Sequence, residues 1–466
     1  MRKSLLGAAI LLVLASPAVA NFCAVDSVTA ATLLLPWAAV TMVGDQPSQT
    51  GYTTYLTLTN VAKEAPFIQV TVWDVVGQPR MTFTQVLSGY DTWSVNFRDV
   101  LSGHWGAFDT SRSVNAPPNV TPDPAYAFTR KPFEWGPDGR SAHVSVSWIV
   151  PPPFQQAEKT SVTPETGCAM PYGDAAGAVA APLLIQQLRA PLFARQHGGC
   201  PGISQVRHDN DWVTTLGTNP LVFFVTVDVV NSCTTLNPSS PAYWNGVASD
   251  RNVLVGNVYY VNDEQYFSES YPAVAIEASA TQGPSVLGFY QSRTNVEDNR
   301  EPLPTAFELP YQNEAPIVRS DLLLWKNFAE LDNDGTVVDC GGYVYYAWDE
   351  DEHSLSAGYN CDPSPCSVLF VDGNQFPFFT QMVPLTSDNF DLPDDYGWML
   401  LVLPPSYDRP FTDPSPGDTT NFSKYMGWAA LRTYYQGHST LTTAWTMANA
   451  HCNPAQVLPN LGRTGQ

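Results

Sequence analysis

The sequence predicts a mainly all-β protein, built from two or more β-sandwich-like domains with one short helix and long Pro/Gly-rich loops. Apolar and polar residues alternate over several runs that are rich in β-branched and aromatic residues, which is the pattern of half-buried strands. The chain also contains 40 prolines and 31 glycines, and these residues punctuate it with turns. Charged residues make up only 14%, so long amphipathic helices are not expected.

Period-two alternation identifies the clearest strands, which are Tyr52 to Asn60, Phe67 to Asp74 and Ala142 to Trp148. Further along the chain, several runs are apolar at consecutive positions, as expected of strands that are covered on both faces. These later strands are expected at Pro220 to Val230, Asn252 to Asn262, Ile317 to Lys326, Gly342 to Trp348, Gly397 to Leu403, Tyr425 to Tyr435 and Leu441 to Met447.

One stretch has helical character. Residues Ala176 to Gln196 are rich in Ala and Leu, and Pro182 suits the first turn of a helix. Pro191 should end or kink that helix, because proline lacks the backbone donor and clashes with the preceding turn.

The first 20 residues have the three-part layout of a secretory signal. Arg2 and Lys3 precede an apolar run from Leu5 to Leu14, and the small residues of Ala18-Val19-Ala20 form a cleavage site. The apolar run is too short to cross a hydrocarbon core of about 30 Å, and no later run is long enough either. We therefore expect residues 1–20 to be a signal peptide and the mature protein to be secreted, whether extracellular, periplasmic or attached to the cell surface.

A chain of 466 residues exceeds the size at which one core keeps growing, about 250–300 residues. The prolines at 151–153 and the polar stretch after them mark a boundary. We expect an N-terminal β-sandwich domain at 21–153, a linker or surface crossing at 154–175, and a C-terminal β-rich domain at 176–466, with a further division near residue 310.

Eight cysteines follow the signal, and an even number in an exported chain predicts disulfide bonds. A zinc site is the weaker interpretation, because the chain lacks a C-x-x-C pair. The pairing stays open. The candidates are Cys23, Cys168, Cys200, Cys233, Cys340, Cys361, Cys366 and Cys452.

The net charge of −22 excludes two classes of partner. Binding to nucleic acid needs clustered Lys and Arg that neutralise phosphates, and an anionic membrane attracts basic segments. An acidic surface instead favours solubility and attracts cations. It leaves carbohydrate or a surface protein as the partners to consider.

Two acidic segments are candidate calcium sites, since Ca²⁺ prefers several carboxylate oxygens. One contains Asp349, Asp351 and Glu352, and the other contains Asp332 and Asp334 followed by a glycine. A solvated acidic loop is the favoured interpretation of the first, because acidic runs usually serve to solvate a surface. The second fits an Asp-Gly turn between strands. Calcium is the single cofactor that the sequence suggests, and none is required.

Catalytic residues are not assigned, because the sequence has no nucleophile elbow, no zinc-protease helix and no phosphate-binding loop. The segment from His208 to Asp211 fits a turn as well as a base or a metal site. His438 and Ser439 are adjacent in an expected strand and should point to opposite faces. Most aromatic residues should fill the core. Exposed platforms for sugars are expected, if anywhere, among Tyr243, Trp244, Tyr434 and Tyr435.

Several motifs, taken in order, resemble an uncharacterised family of secreted bacterial β-rich proteins with an N-terminal β-sandwich module. The resemblance implies an exported β-rich protein and transfers no activity and no catalytic residues. The motifs are LLLPW, YLTLTN, VTVWDVVGQP and WSVNFRDVL between residues 32 and 101, then VTVDVVNSC (225–233), NVLVGNVYYVNDEQYF (252–267), EDNREPLPTAF (297–307), DLLLWK (321–326), WDEDEH (348–353), CDPSPC (361–366) and YGWMLLVL (396–403).

These features together lead us to expect a non-enzymatic binding or structural protein of the cell exterior. The alternative is a secreted carbohydrate-active hydrolase that uses paired carboxylates, because such pairs need no fixed sequence spacing. The segment from Asp349 to Glu352 supplies the first acids to consider for that chemistry.

Overall fold

A computed structural model describes the parts of the chain that form the fold. The described residues are 28–87, 89–102, 183–189, 196–197, 200–201, 220–231, 236–264, 267–279, 288–290, 298–304, 306–314, 317–327, 343–350, 369–371, 378–385, 390, 392, 394–403, 426–435, 438–443 and 445–446.

Most of these residues are in strands. In chain order the strands are β1 Thr32–Val40, β2 Met42–Val43, β3 Gln46–Pro47, β4 Tyr52–Asn60, β5 Phe67–Trp73, β6 Pro79–Val86, β7 Thr92–Asn96, β8 Gln196–His197, β9 Cys200–Pro201, β10 Leu221–Val230, β11 Leu254–Asn262, β12 Phe267–Pro272, β13 Val274–Ile276, β14 Ala306–Gln312, β15 Val318–Lys326, β16 Tyr343–Asp349, β17 Leu369–Val371, β18 Thr380–Pro384, β19 Tyr396–Val402, β20 Gly427–Tyr435, β21 His438–Thr443 and β22 Trp445–Thr446. The helices are α1 Phe97–Leu101, α2 at 183–189 and α3 Pro241–Trp244.

The expected all-β class is confirmed, and so are nearly all of the expected strands. Strand β4 has the predicted bounds. The described part of the chain contains three short helices where the sequence predicted one, and α2 lies inside the expected helical stretch. The strand expected at Ala142 to Trp148 lies outside the described residues. Within the described residues, no helix is long and apolar enough to span a membrane.

The first sandwich consists of two antiparallel sheets. Its four-stranded sheet has the order β12-β11-β4-β7, and its five-stranded sheet has the order β13-β1-β10-β5-β6. Apolar side chains of the two inner faces form the core, among them Leu56, Val258 and Val225, all of which are fully buried. Alternation along β4 and β11 is what makes one face of the four-stranded sheet apolar.

Strand β10 occupies the centre of the first sandwich, where it pairs with β1 on one side and β5 on the other. Strand β11 likewise pairs with β4. The sequence placed these partners in separate domains, on either side of a linker at 154–175. That linker lies outside the described residues, and the strands flanking it in sequence share one fold.

The second sandwich begins with β14. Its five-stranded sheet has the order β17-β16-β19-β14-β22, and its four-stranded sheet has the order β18-β15-β20-β21. A separate apolar core lies between them, formed by residues such as Leu309, Leu324, Met399 and Leu431. Each sheet again contributes alternate side chains to this core.

The two sandwiches are joined by an extensive apolar contact. Trp325 of β15 lies edge-on to Phe224 of β10, with ring centres 5.7 Å apart. Trp428 of β20 stacks on Tyr271 of β12 at 5.3 Å. Leu323, Trp325 and Trp428 are buried in the core of the first sandwich. Contacts of this kind fix the relative position of the two sandwiches, because packed aromatic surfaces of this size do not slide freely.

Candidate functional site

The acidic segment that the sequence singled out begins at the end of strand β16. Asp349 is the last residue of that strand and Glu350 is the exposed residue that follows it. The other calcium candidates, Asp332, Asp334, Asp351 and Glu352, lie outside the described residues. Within the described ranges, no group of three or more His, Cys, Asp or Glu side chains could hold a metal ion. Calcium therefore stays a prediction.

The remaining sequence candidates have different outcomes. The segments containing His208 and His353 lie outside the described residues. His438 and Ser439 are in strand β21, as expected. The cysteines also lie outside the described residues, except for the backbone of Cys200 in β9, so the disulfide bonds stay a prediction.

Of the four aromatic residues considered as exposed platforms, Tyr435 is exposed, at 51%. Tyr243 is fully buried, so its prediction as an exposed platform was wrong. Trp244 packs on Tyr290 and donates its indole N–H to a backbone carbonyl, and the ring of Tyr434 lies under the guanidinium of Arg319. Trp244 and Tyr434 are therefore half-buried and held by these contacts, whereas α3 turns the ring of Tyr243 into the interior.

One buried charge network lies on the first sandwich. Asp228 of β10 is fully buried and accepts hydrogen bonds from Thr32, at 2.5 Å, and from the Tyr290 hydroxyl, at about 3.0 Å. Arg300, which is also fully buried, donates to the Thr32 hydroxyl at 2.7 Å and to the Ser249 carbonyl. Burial raises the pKa of Asp228, and the charge of Arg300 opposes that rise. Thr32 thus relays a hydrogen bond between two buried charges, which stabilises the β1–β10 pair.

A second network joins the two sandwiches. Arg432 of β20 lies within 4.9–5.4 Å of the ring centres of Trp37, Tyr52 and Tyr260. Its guanidinium also donates to the carboxylate of Glu269 and to the Tyr52 hydroxyl. A cation surrounded by aromatic faces and paired with a carboxylate is a stabilising arrangement. Because each of these groups is held by its neighbours, this network is structural.

The outer face of the four-stranded sheet of the first sandwich is open to solvent and has an unusual composition. We call it the neutral face. Its cross-strand rows follow from the register of β12, β11, β4 and β7. The rows are Ser270-Tyr259-Tyr55-Asn96, Pro272-Asn257-Thr57-Ser94, Val255-Thr59-Thr92 and Ser268-Val261-Thr53.

Among the described residues that form these rows, none has an acidic or a basic side chain. Tyr55 and Tyr259 are direct cross-strand partners at its centre, and Tyr259 is 39% exposed. Hydrogen bonds between hydroxyl groups link β4 to β7. The hydroxyl oxygens of Thr57 and Ser94, for example, are 2.9 Å apart. These polar residues alternate with the apolar residues of the core, because successive side chains of a strand point to opposite faces.

Two acidic residues that follow β11 are held by other groups. Asp263 accepts a hydrogen bond from the Gly51 amide and lies 3.7 Å from Arg98. Glu264 accepts a hydrogen bond from the Thr50 hydroxyl at 2.5 Å. The described residues of this face therefore form an uncharged surface with two aromatic rings and many hydroxyl and amide groups, on a chain whose net charge is −22.

Sequence reasoning missed the neutral face, although part of the signal was present. The alternation in YTTYLTLTN shows that Tyr55, Thr57 and Thr59 share one side of a strand. The position of Tyr259 beside Tyr55 depends on the pairing of β4 with β11, which are far apart in the chain. Local periodicity carries no information about such a long-range register.

A pair of carboxylates lies on the same sandwich. The bridge between Ala278 and Arg300 is antiparallel, which puts Glu277 opposite Glu301, and the Glu301 amide donates to the Glu277 carbonyl at 2.9 Å. Burial, together with the charge of Glu277, raises the pKa of Glu301 to about 7. A carboxyl group with this pKa can hold or release a proton near neutral pH.

Comparisons with known proteins identified no relative of this chain. No protein-family model matches the chain, no curated protein matches it, and no solved structure matches it. Any functional conclusion therefore depends on the chemistry of the residues described above.

Proposed function

We propose that the protein is an exported, non-enzymatic binding protein that holds an uncharged polysaccharide on the neutral face. The observation that carries this proposal is that the described residues of this sheet face include no charged side chain, in a protein whose net charge is −22. The signal-like N-terminus and the resemblance to secreted bacterial proteins support the location outside the cell.

The chemistry of the neutral face suits sugar rings. Pyranose rings present flat faces of C–H groups, and these faces pack on the rings of residues such as Tyr55 and Tyr259. Hydroxyl and amide side chains, including Asn257, Thr57 and Ser94, can donate to and accept from the hydroxyl groups of a sugar. The register offers these groups in cross-strand rows, so an extended polymer can contact several of them at once.

The charge distribution also favours an uncharged ligand. A phosphorylated or sulfated polymer would be repelled by a chain with net charge −22. A strongly basic ligand would find no carboxylate with which to pair among the described residues of the neutral face. Neutral glucans, mannans and xylans carry neither negative nor positive charges, so neither objection applies to them.

The test is native electrophoresis of the mature oxidised protein through gels that contain neutral polysaccharides. We expect retarded migration for the wild type, and a loss of affinity of about tenfold or more for Tyr259→Ala and Tyr55→Ala, because truncating an aromatic anchor commonly costs more than 1 kcal/mol. Tyr435→Ala is the matched control, since that tyrosine is exposed on the second sandwich. Unchanged retardation in both neutral-face variants would refute the proposal.

A hydrolase is the second candidate function, and the Glu277–Glu301 pair is the observation that favours it. Opposed residues of two antiparallel strands have Cβ atoms about 4.5–5.5 Å apart, and retaining glycosidases use carboxyl groups about 5–5.5 Å apart. Glu301 would act as the acid and Glu277 as the nucleophile. Staining the same gels for remaining polymer tests this: clearing by the wild type that disappears in Glu301→Gln would put the hydrolase first.

A further inference from the structure

The outer face of the five-stranded sheet of the second sandwich has a different chemistry from the neutral face. Strands β16, β19 and β14 lie side by side there, and their register puts Trp348, Trp398 and Pro310 in one cross-strand row. The flanking residues Ala347 and Met399 are buried in the core, so the row points outward. Trp398 is 38% exposed. We call these three residues the tryptophan platform.

The strands beneath the tryptophan platform approach one another closely. The Tyr311 hydroxyl donates to the Trp348 carbonyl at 3.2 Å. A Cβ atom at Gly397 would lie 1.9 Å from that carbonyl oxygen and 2.7 Å from the Tyr311 hydroxyl. Only glycine therefore fits at position 397, and its small size lets β19 bring Trp398 directly beside Trp348.

Five carboxylates lie at one end of the sheet that carries the tryptophan platform. The register pairs Asp349, at the end of β16, with Gly397 near the start of β19, and it pairs Gln312, at the end of β14, with Tyr396. Asp349, Glu350 and Asp394 belong to these strand ends, and their charges add to the burial that raises the pKa of Tyr311 to about 12.

The other two carboxylates extend the same rim. Tyr396, the first residue of β19, donates its hydroxyl to Glu314, and this hydrogen bond is the main reason that the pKa of Tyr396 is raised to about 12. Asp395 is adjacent to Tyr396 and exposed. No ion pair links Glu314, Glu350, Asp394 or Asp395 to a basic residue in the described part of the chain.

We propose that the tryptophan platform and its carboxylate rim bind an amino-sugar polymer that carries free ammonium groups. The exposed indole of Trp398 stacks on sugar rings, and the exposed carboxylates of Glu350, Asp394 and Asp395 pair with the ammonium groups. Neighbouring strands are about 5 Å apart, so Trp348 lies beside Trp398 in the same cross-strand row. An ammonium group near an indole also gains cation–π attraction.

The geometry favours a glycan over a basic peptide. An extended peptide binds a sheet mainly through backbone hydrogen bonds at a free edge. The tryptophan platform lies on a sheet face, where the backbone groups of β16, β19 and β14 are already engaged in the ladder. A ligand on that face must bind through stacking and through charge, which is what an amino-sugar polymer offers.

This site is separate from the neutral face in position and in ligand chemistry. The neutral face belongs to the first sandwich and has no charged side chain, whereas the tryptophan platform belongs to the second sandwich and is bordered by acids. Either proposal can therefore fail without the other, and one set of variants distinguishes them.

The experiment measures binding of the mature oxidised protein to soluble chitosan of low acetylation, in a mildly acidic buffer that keeps its amines protonated. Fully acetylated chitin oligomers and poly-lysine are the comparison ligands. We expect Trp398→Ala to weaken chitosan binding about tenfold or more, and Tyr259→Ala, on the neutral face, to leave it unchanged. The double variant Asp394→Asn/Asp395→Asn, at two exposed positions, should weaken binding and reduce its dependence on salt.

Near-UV circular dichroism of each variant shows whether the fold is retained. If Trp398→Ala does not fold, the double asparagine variant decides the question, because it changes charge without changing shape. Chitosan binding that is unaffected in the folded variants would overturn the proposal. Binding of poly-lysine as tight as that of chitosan, and equally sensitive to Trp398→Ala, would overturn it in favour of a basic protein ligand.

Discussion

The guanidinium carbon of Arg432, in the second sandwich, lies 4.9 Å from the centre of the Trp37 indole, in the first. Glu269 accepts a hydrogen bond from the same guanidinium. Both members of this ion pair are buried, at 2% and 6% side-chain exposure. A buried charge that loses its partner is costly, so this one side chain ties the stability of the two sandwiches together.

Replacement of Arg432 should therefore be strongly destabilising. We expect Arg432→Ala to lower the free energy of unfolding by about 3–5 kcal/mol, because the buried carboxylate of Glu269 would lose its ion pair with the guanidinium. Denaturant unfolding measures this loss. The control is Arg251→Ala, whose exposed pair with Glu64 at 3.4 Å should contribute less than about 1 kcal/mol. Similar losses in the two variants would contradict the structural role of Arg432.

Gly77 provides a test of the contact between the sandwiches. Its φ of +78° favours glycine, and a Cβ atom there would lie 2.9 Å from the ring of Phe379. Gly44 has a φ of +59° with nothing within 4 Å of its Cβ position. Gly44→Ala should cost roughly 1–2 kcal/mol from backbone strain alone, whereas Gly77→Ala should cost about 1–3 kcal/mol more through overpacking.

Thermal unfolding of the two glycine variants gives the comparison. Because both alanines suffer the same kind of backbone strain, the difference between them isolates the contact with Phe379. The companion variant Phe379→Leu should restore part of the stability of Gly77→Ala. Equal melting temperatures for the two single variants would show that a Cβ atom at residue 77 does not clash with Phe379.

The carboxyl group of Glu301 should make stability depend on pH. Its pKa is raised from 4.5 to about 7 in the fold, first by burial and then by Glu277. The fold therefore holds a proton that the unfolded chain releases. The stabilisation is fully present below the unfolded pKa and is lost as pH rises through about 7.

Unfolding measured at a series of pH values should show this loss in the wild type and a flatter profile in Glu301→Gln, which cannot titrate. Glu277→Gln should shift the loss to lower pH, because one of the two causes of the raised pKa is removed. If the free energy of unfolding depends on pH in the same way in Glu301→Gln as in the wild type, another group is responsible for the titration.

Export should change the covalent structure of the chain, because the signal peptide is removed and disulfide bonds form. We expect the purified mature protein to begin at Asn21 and to contain no free thiol. Intact mass before and after reduction measures both, since each disulfide bond adds two hydrogens on reduction. A full-length chain with eight reactive thiols would contradict secretion through an oxidising compartment.

Local sequence patterns identified the strands well, because alternation reflects a sheet with one buried face. Strand β4 was predicted residue by residue from YTTYLTLTN. Helix α3 was missed, since its four residues are too few to show a helical period. The cage around Arg432 was also beyond prediction, because an arginine in the apolar run of β20 does not reveal which rings of another sandwich surround it.

The same limit applies to the candidate binding surfaces. Trp348 and Trp398 were each visible in an expected strand, and their adjacency follows only from the pairing of β16 with β19. The aromatic residues considered from sequence were chosen by expected exposure. Tyr243 failed that criterion because α3 packs its ring into the interior.

The central place of β10 has a consequence for the order of events during synthesis. Strands β1 and β5 emerge first but lack their common neighbour until residue 230 has been made. Pairing across so long an interval is slow, and until it happens two unpaired strand edges are open to association with other chains. Chains truncated before residue 221 should therefore aggregate, and light scattering of such truncated chains measures this.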